Sequence, residues 1–434
     1  MEKTLRNLAV ELVPISLPQA YEQNARTHTE KQIDKIVASM RAYGWVVPIV
    51  VDSDNTIIGG HARLEAAKRL GLEQVPIIRI SDMSEAQVRA YRLADNRIAE
   101  DAGWDEDLLK VEIAELYEIE TDFEITATGF EISEIDLVLG DAMDPDDEVE
   151  QSDTSDVAVT KPGDLWLAGK HRILCGDALR SESYDRLMGG DEAELCITDL
   201  PYNLKIGGHV SGLGAHKHGE FAMASGEMDS EEFGAFLKTS FSRIASVSRS
   251  GALIFVFMDW RHMPETVAAG HAAFTELKNL CVWVKSNGGM GSLYRSQHEL
   301  VFVFKSGKAD HINNVALGAH GRNRTNVWHY AGMNSFGAGR DEALKAHPTV
   351  KPVAMIADAI LDASRRGGLV LDPFAGSGTI LIAAERTGRH ARAMELDPRY
   401  VDTALRRYRR VTGLEPVHAD TGETLSDREE GEGQ

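Results

Sequence analysis

The stretch "GLVLDPFAGSGTILIAAERTGRHARAMELD", residues 368–397, changes its hydrophobic periodicity twice. Leu369–Leu371 is a short apolar run that ends in an acid, Asp372. A Gly-rich turn, Phe374-Ala375-Gly376-Ser377-Gly378, feeds a helical stretch that Gly388 stops. A second apolar run, beginning at His390, ends in Glu395. Strand, turn, helix and strand in this order form the unit of a parallel sheet, because parallel neighbours need a crossover between them.

The same alternation continues on both sides. Downstream, "PRYVDTALRRYRRVTG" is a helix; upstream, so is "VAMIADAILDAS". Further upstream lie "GDLWLAGKHRILCGDA", a hairpin and strand ending near Asp177, and "ELCITDLPYN", a strand ending at Asp199. An amphipathic helix, "FGAFLKTSFSRIASVS", and three apolar strands, "GALIFVFMD", "LCVWVK" and "HELVFVFK", complete the set. The pattern predicts an α/β fold over residues 161–412: a doubly wound, mostly parallel, Rossmann-like sheet. Such sheets bind ligands beyond the carboxyl ends of their strands. Asp177, Asp199, Asp372 and Glu395 all fall at or just past predicted strand ends.

The turn after Asp372 lacks the third glycine of a dinucleotide fingerprint, and the chain has no Gly-Lys-Ser/Thr phosphate loop. Glu395, about 20 residues past the turn, can accept both hydroxyls of a ribose, since a carboxylate offers two acceptor oxygens. A ligand with a ribose and no pyrophosphate fits, and S-adenosylmethionine is such a ligand.

"ITDLPYN", Ile197–Asn203, is the second anchor: an acid at a strand end, then Leu-Pro-Tyr. With "VWVKSNGG", "HELVFVFK", "HPTVKP" and the Phe374–Gly378 turn it makes an ordered set. Residues 161–412 resemble the amino-group DNA methyltransferases (N6-adenine and N4-cytosine) in their permuted, beta-type order. There the catalytic Asp-Pro-Pro-Tyr motif precedes the cofactor motif, as Asp199-Leu200-Pro201-Tyr202 precedes Phe374-Ala375-Gly376-Ser377-Gly378 here. Leu200 departs from the usual proline.

The resemblance implies transfer of a methyl group from S-adenosylmethionine to an exocyclic base amine. Asp199 and the carbonyl of Leu200 or Pro201 would accept the amine's two N–H bonds as its nitrogen becomes tetrahedral. Tyr202 would stack on the flipped base, and Pro201 would aim the ring. Asp372, Phe374, Gly376 and Gly378 would wrap the methionine part of the cofactor and Glu395 its ribose. Asp177 would lie near its adenine, and Lys351 on the cofactor side or at a phosphate. An Asp at the motif's first position favours N6 of adenine, with N4 of cytosine as the alternative. In a different class, the chain would be a partition-type DNA-binding regulator with an inert methylase half.

Residues 8–105 resemble the ParB/sulfiredoxin-like N-terminal domain, a small α+β unit. "NARTHTEKQIDKIVASMRAYGWVVPIVVD", "IIGGHARLEAAKRLG" and "VPIIRI" carry the likeness. The family's Gly-Glu-Arg-Arg turn is here Gly60-His61-Ala62-Arg63, which puts nucleotide hydrolysis in doubt. A helical extension over 106–140 and an acidic linker over 141–160 are expected to follow.

The net charge of −22 argues against nucleic acid as a partner, but its distribution weakens the argument. Asp141–Asp156 holds eight acids and no base, and residues 414–434 hold seven acids and one Arg. The linker and a tail over 413–434 are therefore expected to be solvated and disordered. Residues 305–351 are locally basic, and target recognition is expected over about 306–346, with Arg322, Arg324 and Arg340 as candidate DNA contacts. The Gly- and His-rich loop 203–228 is expected to be a lid; His209, His216 and His218 lack metal-ligand spacing, so no metal is expected. Cys175, Cys196 and Cys281 form no CxxC pair or disulfide framework. With no signal peptide and no 18-residue apolar run, a cytoplasmic protein is expected, with double-stranded DNA as partner, no membrane contact, and a homodimer left open.

Overall fold

A computed structural model describes residues 8–119, 123–140, 158–203, 228–285, 288, 293–315, 322–330 and 351–431. The chain divides into two compact units, residues 1–139 and 140–434.

The first unit contains β1 (Val10–Pro14), α1 (Glu30–Tyr43), β2 (Ile49–Val51), β3 (Ile57–Gly59), α2 (His61–Arg69), β4 (Gln74–Arg79), α3 (Glu85–Glu100), α4 (Glu106–Glu118) and α5 (Ile132–Leu139). Its sheet runs β1-β4-β2-β3. Thr29 caps α1, Gly44 ends it at φ +74°, and Ser84 with Gln87 forms a capping box on α3. Ile49, Val51, Ile57, Val75 and Ile77 pack against Leu64 and Ala67 of α2. At the start of α2 the His61 ring accepts the Tyr21 N–H (3.3 Å), and Arg63 donates to the Pro48 carbonyl (3.3 Å). Burial and then Arg92 lower the His61 pKa to about 4, so its ring is neutral at pH 7.

The second unit contains β5 (Leu165–Ala168), β6 (His171–Cys175), α6 (Ser181–Met188), β7 (Ala193–Asp199), α7 (Ser230–Ser246), β8 (Ser248–Met258), α8 (Met263–Ala273), β9 (Glu276–Val284), β10 (His298–Lys305), β11 (Val327–His329), α9 (Val353–Ala363), β12 (Leu369–Asp372), α10 (Thr379–Thr387), β13 (His390–Glu395), α11 (Pro398–Thr412), β14 (Val417–His418) and α12 (Leu425–Gly431). They build one sheet in the order β11-β9-β10-β8-β7-β12-β13-β6-β5-β14. Its centre, β8-β7-β12-β13-β6, is parallel; β10, β5 and β14 add antiparallel pairs on the flanks.

Alternation along β7 builds two cores. Leu195 and Ile197 pack with Met355, Ile360 and Leu381 on one face, while Cys196 packs with Tyr184, Leu237 and Phe241 on the other. Each such fully buried Leu or Ile contributes roughly 1.5–3 kcal/mol. The helix after the Gly-rich turn lies close against α11: a Cβ on Gly378 would sit 2.5 Å from that of Ala404. Gly378 is thus required by packing and by its φ of +75°.

The tail departs from expectation. Residues 413–431 are folded, not disordered: β14 pairs with β5, and Leu425 is fully buried. Three of its acids pair with the domain's arginines, Glu415 with Arg409 (3.3 Å), Asp420 with Arg186, and Glu429 with Arg406 (2.5 Å) and Arg409 (3.1 Å). Its one arginine, Arg428, reaches Asp164 (2.7 Å). Among the described residues no helix is long and apolar enough to cross a membrane.

Candidate active site

Three of the predicted strand-end acids come together because their strands are neighbours. β7 ends in Asp199, adjacent β12 in Asp372, and β13 beyond it in Glu395. Burial pushes the Asp372 carboxyl up to about 8, the nearby charges of Asp199 and Glu395 add to this, and the Phe374 N–H opposes it. Glu395 is also raised by burial. Its Oε2 accepts the Gly376 N–H (3.0 Å) and its Oε1 the Asp397 N–H (2.9 Å). Gly376 has φ +51°, and a Cβ there would meet nothing within 4 Å, so the turn faces open space. Asp177 follows β6, where its Oδ1 accepts the Leu179 N–H (2.9 Å). The Phe374 ring packs edge-on to Phe236, 6.0 Å between centroids.

On the other side of Asp199 lies a polar cluster. Tyr202 donates its hydroxyl to Asp199 Oδ1 (2.7 Å) and lies 3.2 Å from Glu299 Oε2. Lys351, expected on the cofactor side or at a phosphate, instead donates to Asp199 Oδ2 (2.5 Å) and pairs with Glu299 (3.3 Å). Lys285 pairs with Glu299 from the outer side. Two carboxylates and two ammonium groups balance. Burial raises the Asp199 pKa above the ordinary carboxylate range, against the pull of Lys351. Burial would raise Glu299 too, but Lys351 and Lys285 together draw it down to about 2. Burial pushes the Tyr202 hydroxyl well up, as do the two carboxylates beside it.

Leu200 is buried in the core, while Pro201 and Tyr202 remain partly exposed. Asn203 adopts φ +53°, and its side chain bonds both backbone groups of Met228, at 2.7 and 3.2 Å. The loop between them, with His209, His216 and His218, lies outside the described residues. Arg340 lies outside them as well.

Residues 193–406 match a family of DNA methylases (N6_N4_Mtase). Residues 1–97 match the ParB N-terminal domain, and residues 107–162 the ParB-methyltransferase HTH domain. The chain belongs to the N6/N4 DNA methylases, fused to a ParB N-terminal domain. The methylase's HTH match runs across the stretch expected to be a helical extension and acidic linker.

Among curated proteins, the ParB-like nuclease domain-containing protein YnaK of Escherichia coli (strain K12) is 36% identical over 74 residues, 17% of this chain and 85% of that protein. The Type II methyltransferase M.HpaI of Haemophilus parainfluenzae is 24% identical over 250 residues, 54% of this chain and 73% of that protein. Among solved structures, the M1.HpyAVI–SAM complex has a TM-score of 0.39 at 20% identity, covering 54% of this chain and 97% of that one. The cytosine-N4-specific PvuII DNA methyltransferase has a TM-score of 0.40 at 17% identity, covering 55% and 86%.

Two arginines of the methylase's basic segment are engaged within the domain. Arg322 pairs with Asp358 (3.2 Å) and Asp362 (2.6 Å), and Arg324 pairs with the same two acids, both at 2.9 Å. Both guanidinium groups are largely buried against α9, so these candidate DNA contacts are corrected to internal ion pairs that anchor β11. Glu299 and Lys285 were not singled out from sequence. Their signal was their place in "HELVFVFK" and "VWVK", two stretches of the ordered set that carries the resemblance.

Proposed function

We propose that this DNA methyltransferase uses S-adenosylmethionine to methylate the exocyclic N6 amine of adenine in DNA. The observation that carries the reading is Asp199: a charged acceptor at a strand end, with Tyr202 on one side and the Asp372–Glu395 strand ends on the other.

The residues fit the cofactor. The open face of Gly376 admits close approach, and each Glu395 oxygen, holding one backbone N–H, keeps lone pairs for ribose hydroxyls. When bound, S-adenosylmethionine supplies a methyl group made electrophilic by its sulfonium. Phe374 would pack beside the methionine part, and the Asp372 carboxyl would face its cationic end.

An exocyclic amine is a poor nucleophile because its lone pair is shared with the ring. Asp199 accepts one N–H and a backbone carbonyl of Leu200 or Pro201 the other, which favours a tetrahedral nitrogen and stabilises its developing positive charge. The nitrogen's lone pair would form the new bond to the methyl carbon as the carbon–sulfur bond breaks and its electron pair stays on sulfur as a neutral thioether, and the nitrogen then sheds a proton. Asp199, with its raised proton affinity, is placed to take it. Tyr202 supports the extruded base, where a base–aromatic stack is worth about 1–3 kcal/mol. The ParB-type and HTH regions contribute DNA binding.

The test is labelled methyl transfer to unmethylated genomic DNA, followed by mass analysis of nucleosides. N6-methyladenine is expected. N4-methylcytosine would overturn the choice of base, and absence of label with cofactor bound would overturn the enzymatic reading.

A further inference from the structure

The Lys351 ammonium sits in a cage. Besides Asp199 at 2.5 Å and Glu299 at 3.3 Å, three aromatic rings surround it. Their centroids lie 5.2 Å (Phe257), 5.7 Å (Tyr202) and 5.9 Å (Trp283) from Nζ. Ring faces and carboxylates are the chemistry that recognises an ammonium ion. The side chain is 7% exposed, while its backbone is held in place by the Thr379 hydroxyl on its carbonyl (3.5 Å).

A target amine undergoing methylation also becomes a tetrahedral, cationic nitrogen with N–H donors. It needs the Asp199 carboxylate that Lys351 already holds. We propose that Lys351 is a positioning residue: its ammonium occupies the amine's place in the DNA-free enzyme, keeps Asp199 ionised there, and yields that place to the target base. This rests on the methyl-transfer reading above.

The need for such a cation follows from the surroundings. Asp199 faces Tyr202 on its own loop, Glu299 from β10, Asp372 from β12 and Lys351 from the segment before α9; Lys285, after β9, reaches it only through Glu299. Three of these neighbours are acids or a phenol, so Lys351 is the direct cationic partner among them. Without it, burial and Glu299 would protonate Asp199, and a protonated carboxyl accepts the amine's N–H poorly. The unbranched four-carbon stem lets the head group withdraw without moving the backbone.

The experiment measures methyl transfer to unmethylated genomic DNA across pH for wild type, K351M and K351R, all as full chains. K351M should lose kcat/KM by about tenfold or more near pH 6 and recover toward wild type near pH 9, since one pKa unit is tenfold. K351R should keep the wild-type acid limb. A K351M loss that is equal at every pH overturns the proposal, as does an unshifted profile.

Propylammonium replaces the atoms missing from K351A. It should raise the Tm of K351A above that in equal sodium chloride, leave wild type unmoved, and inhibit K351A competitively against DNA. Stabilisation without competition would mean the cage is not the amine's place and would overturn the proposal; so would no stabilisation. A wild type that transfers no methyl overturns the functional reading instead, and the heat shift still decides the cage. If K351M does not fold, propylammonium and K351A carry the same decision.

Discussion

Lys351 Nζ lies 2.5 Å from Asp199 Oδ2, although the residues are 152 positions apart in sequence. With Glu299 and Lys285 they form a charge-balanced cluster at the end of β7. A buried ion pair is costly to break from one side, because the remaining charge loses its partner. The four side chains therefore set one another's ionisation, and a change at one is felt at Asp199.

Asp199→Asn keeps the shape of the side chain and removes its charge. Methyl transfer should fall by about 10²–10³-fold or more, the range seen when one transition-state hydrogen-bonding group is lost. Cofactor affinity should change little, because Glu395 and Gly376 are untouched. Labelled transfer and equilibrium binding decide together; near-normal turnover in this variant would remove Asp199 from the mechanism.

Glu395→Ala should show the opposite split. The carboxylate anchors the Gly376 and Asp397 N–H groups and is proposed to hold the ribose. A hydrogen bond to a charged group is worth about 1.5–3 kcal/mol, so cofactor affinity should drop about ten- to hundredfold. Titration calorimetry with S-adenosylmethionine measures it, and an unchanged affinity would place the ribose elsewhere. Glu395→Gln, which keeps one acceptor oxygen, should lie between.

Asp372 gives a pH signature. Its pKa of about 8 is well above the unfolded value, so the unfolded chain releases this proton first as pH rises. The associated stability is fully present below about pH 4 and is lost as pH rises through about 8. Asp372→Asn cannot ionise, so relative to wild type it should gain stability steadily between those limits, by at most about 1.4 kcal/mol per pH unit. Urea unfolding of both proteins at several pH values checks this; a constant difference would mean that Asp372 is already charged in the folded protein.

The parts legible in sequence were those carried by local pattern. Strand ends and the acids on them follow from apolar runs followed by turns, so the α/β fold and the neighbouring positions of Asp199, Asp372 and Glu395 could be anticipated. What depended on distant partners was not. The acids of 414–434 looked like a solvated tract, yet Glu429 is matched by Arg406 and Arg409 and Leu425 by a core pocket. Arg322 and Arg324 looked free because Asp358 and Asp362, on a helix more than thirty residues on, neutralise them only once folded. Local charge counts omit such pairing. Arg324→Ala should therefore lower stability by about 3–5 kcal/mol, as removal of one partner from a buried pair does, rather than reduce the salt dependence of DNA binding. Unfolding and binding titrations separate the two; a weaker salt slope at unchanged stability would return Arg324 to the DNA surface.

The last prediction concerns how the second unit begins. Asp402 on α11 is fully buried and accepts the backbone N–H groups of Val159 (2.7 Å) and Thr160 (3.1 Å). These donors belong to the first described residues of the unit, which have no strand neighbour to satisfy them. Thr160 in turn accepts the Trp166 indole N–H (3.1 Å), so the clamp fixes the residues that lead into β5. Asp402→Ala removes both acceptors and leaves two buried N–H groups unpaired. At about 1.5–3 kcal/mol for each of the two bonds to a charged acceptor, the loss should reach about 3–6 kcal/mol. Asp402→Asn should be nearly as damaging, because its amide NH₂ then faces one of the N–H donors. Urea unfolding of the full chain measures both, and a loss below about 1 kcal/mol would show that the entry segment is held by Val159 and Trp166 packing alone.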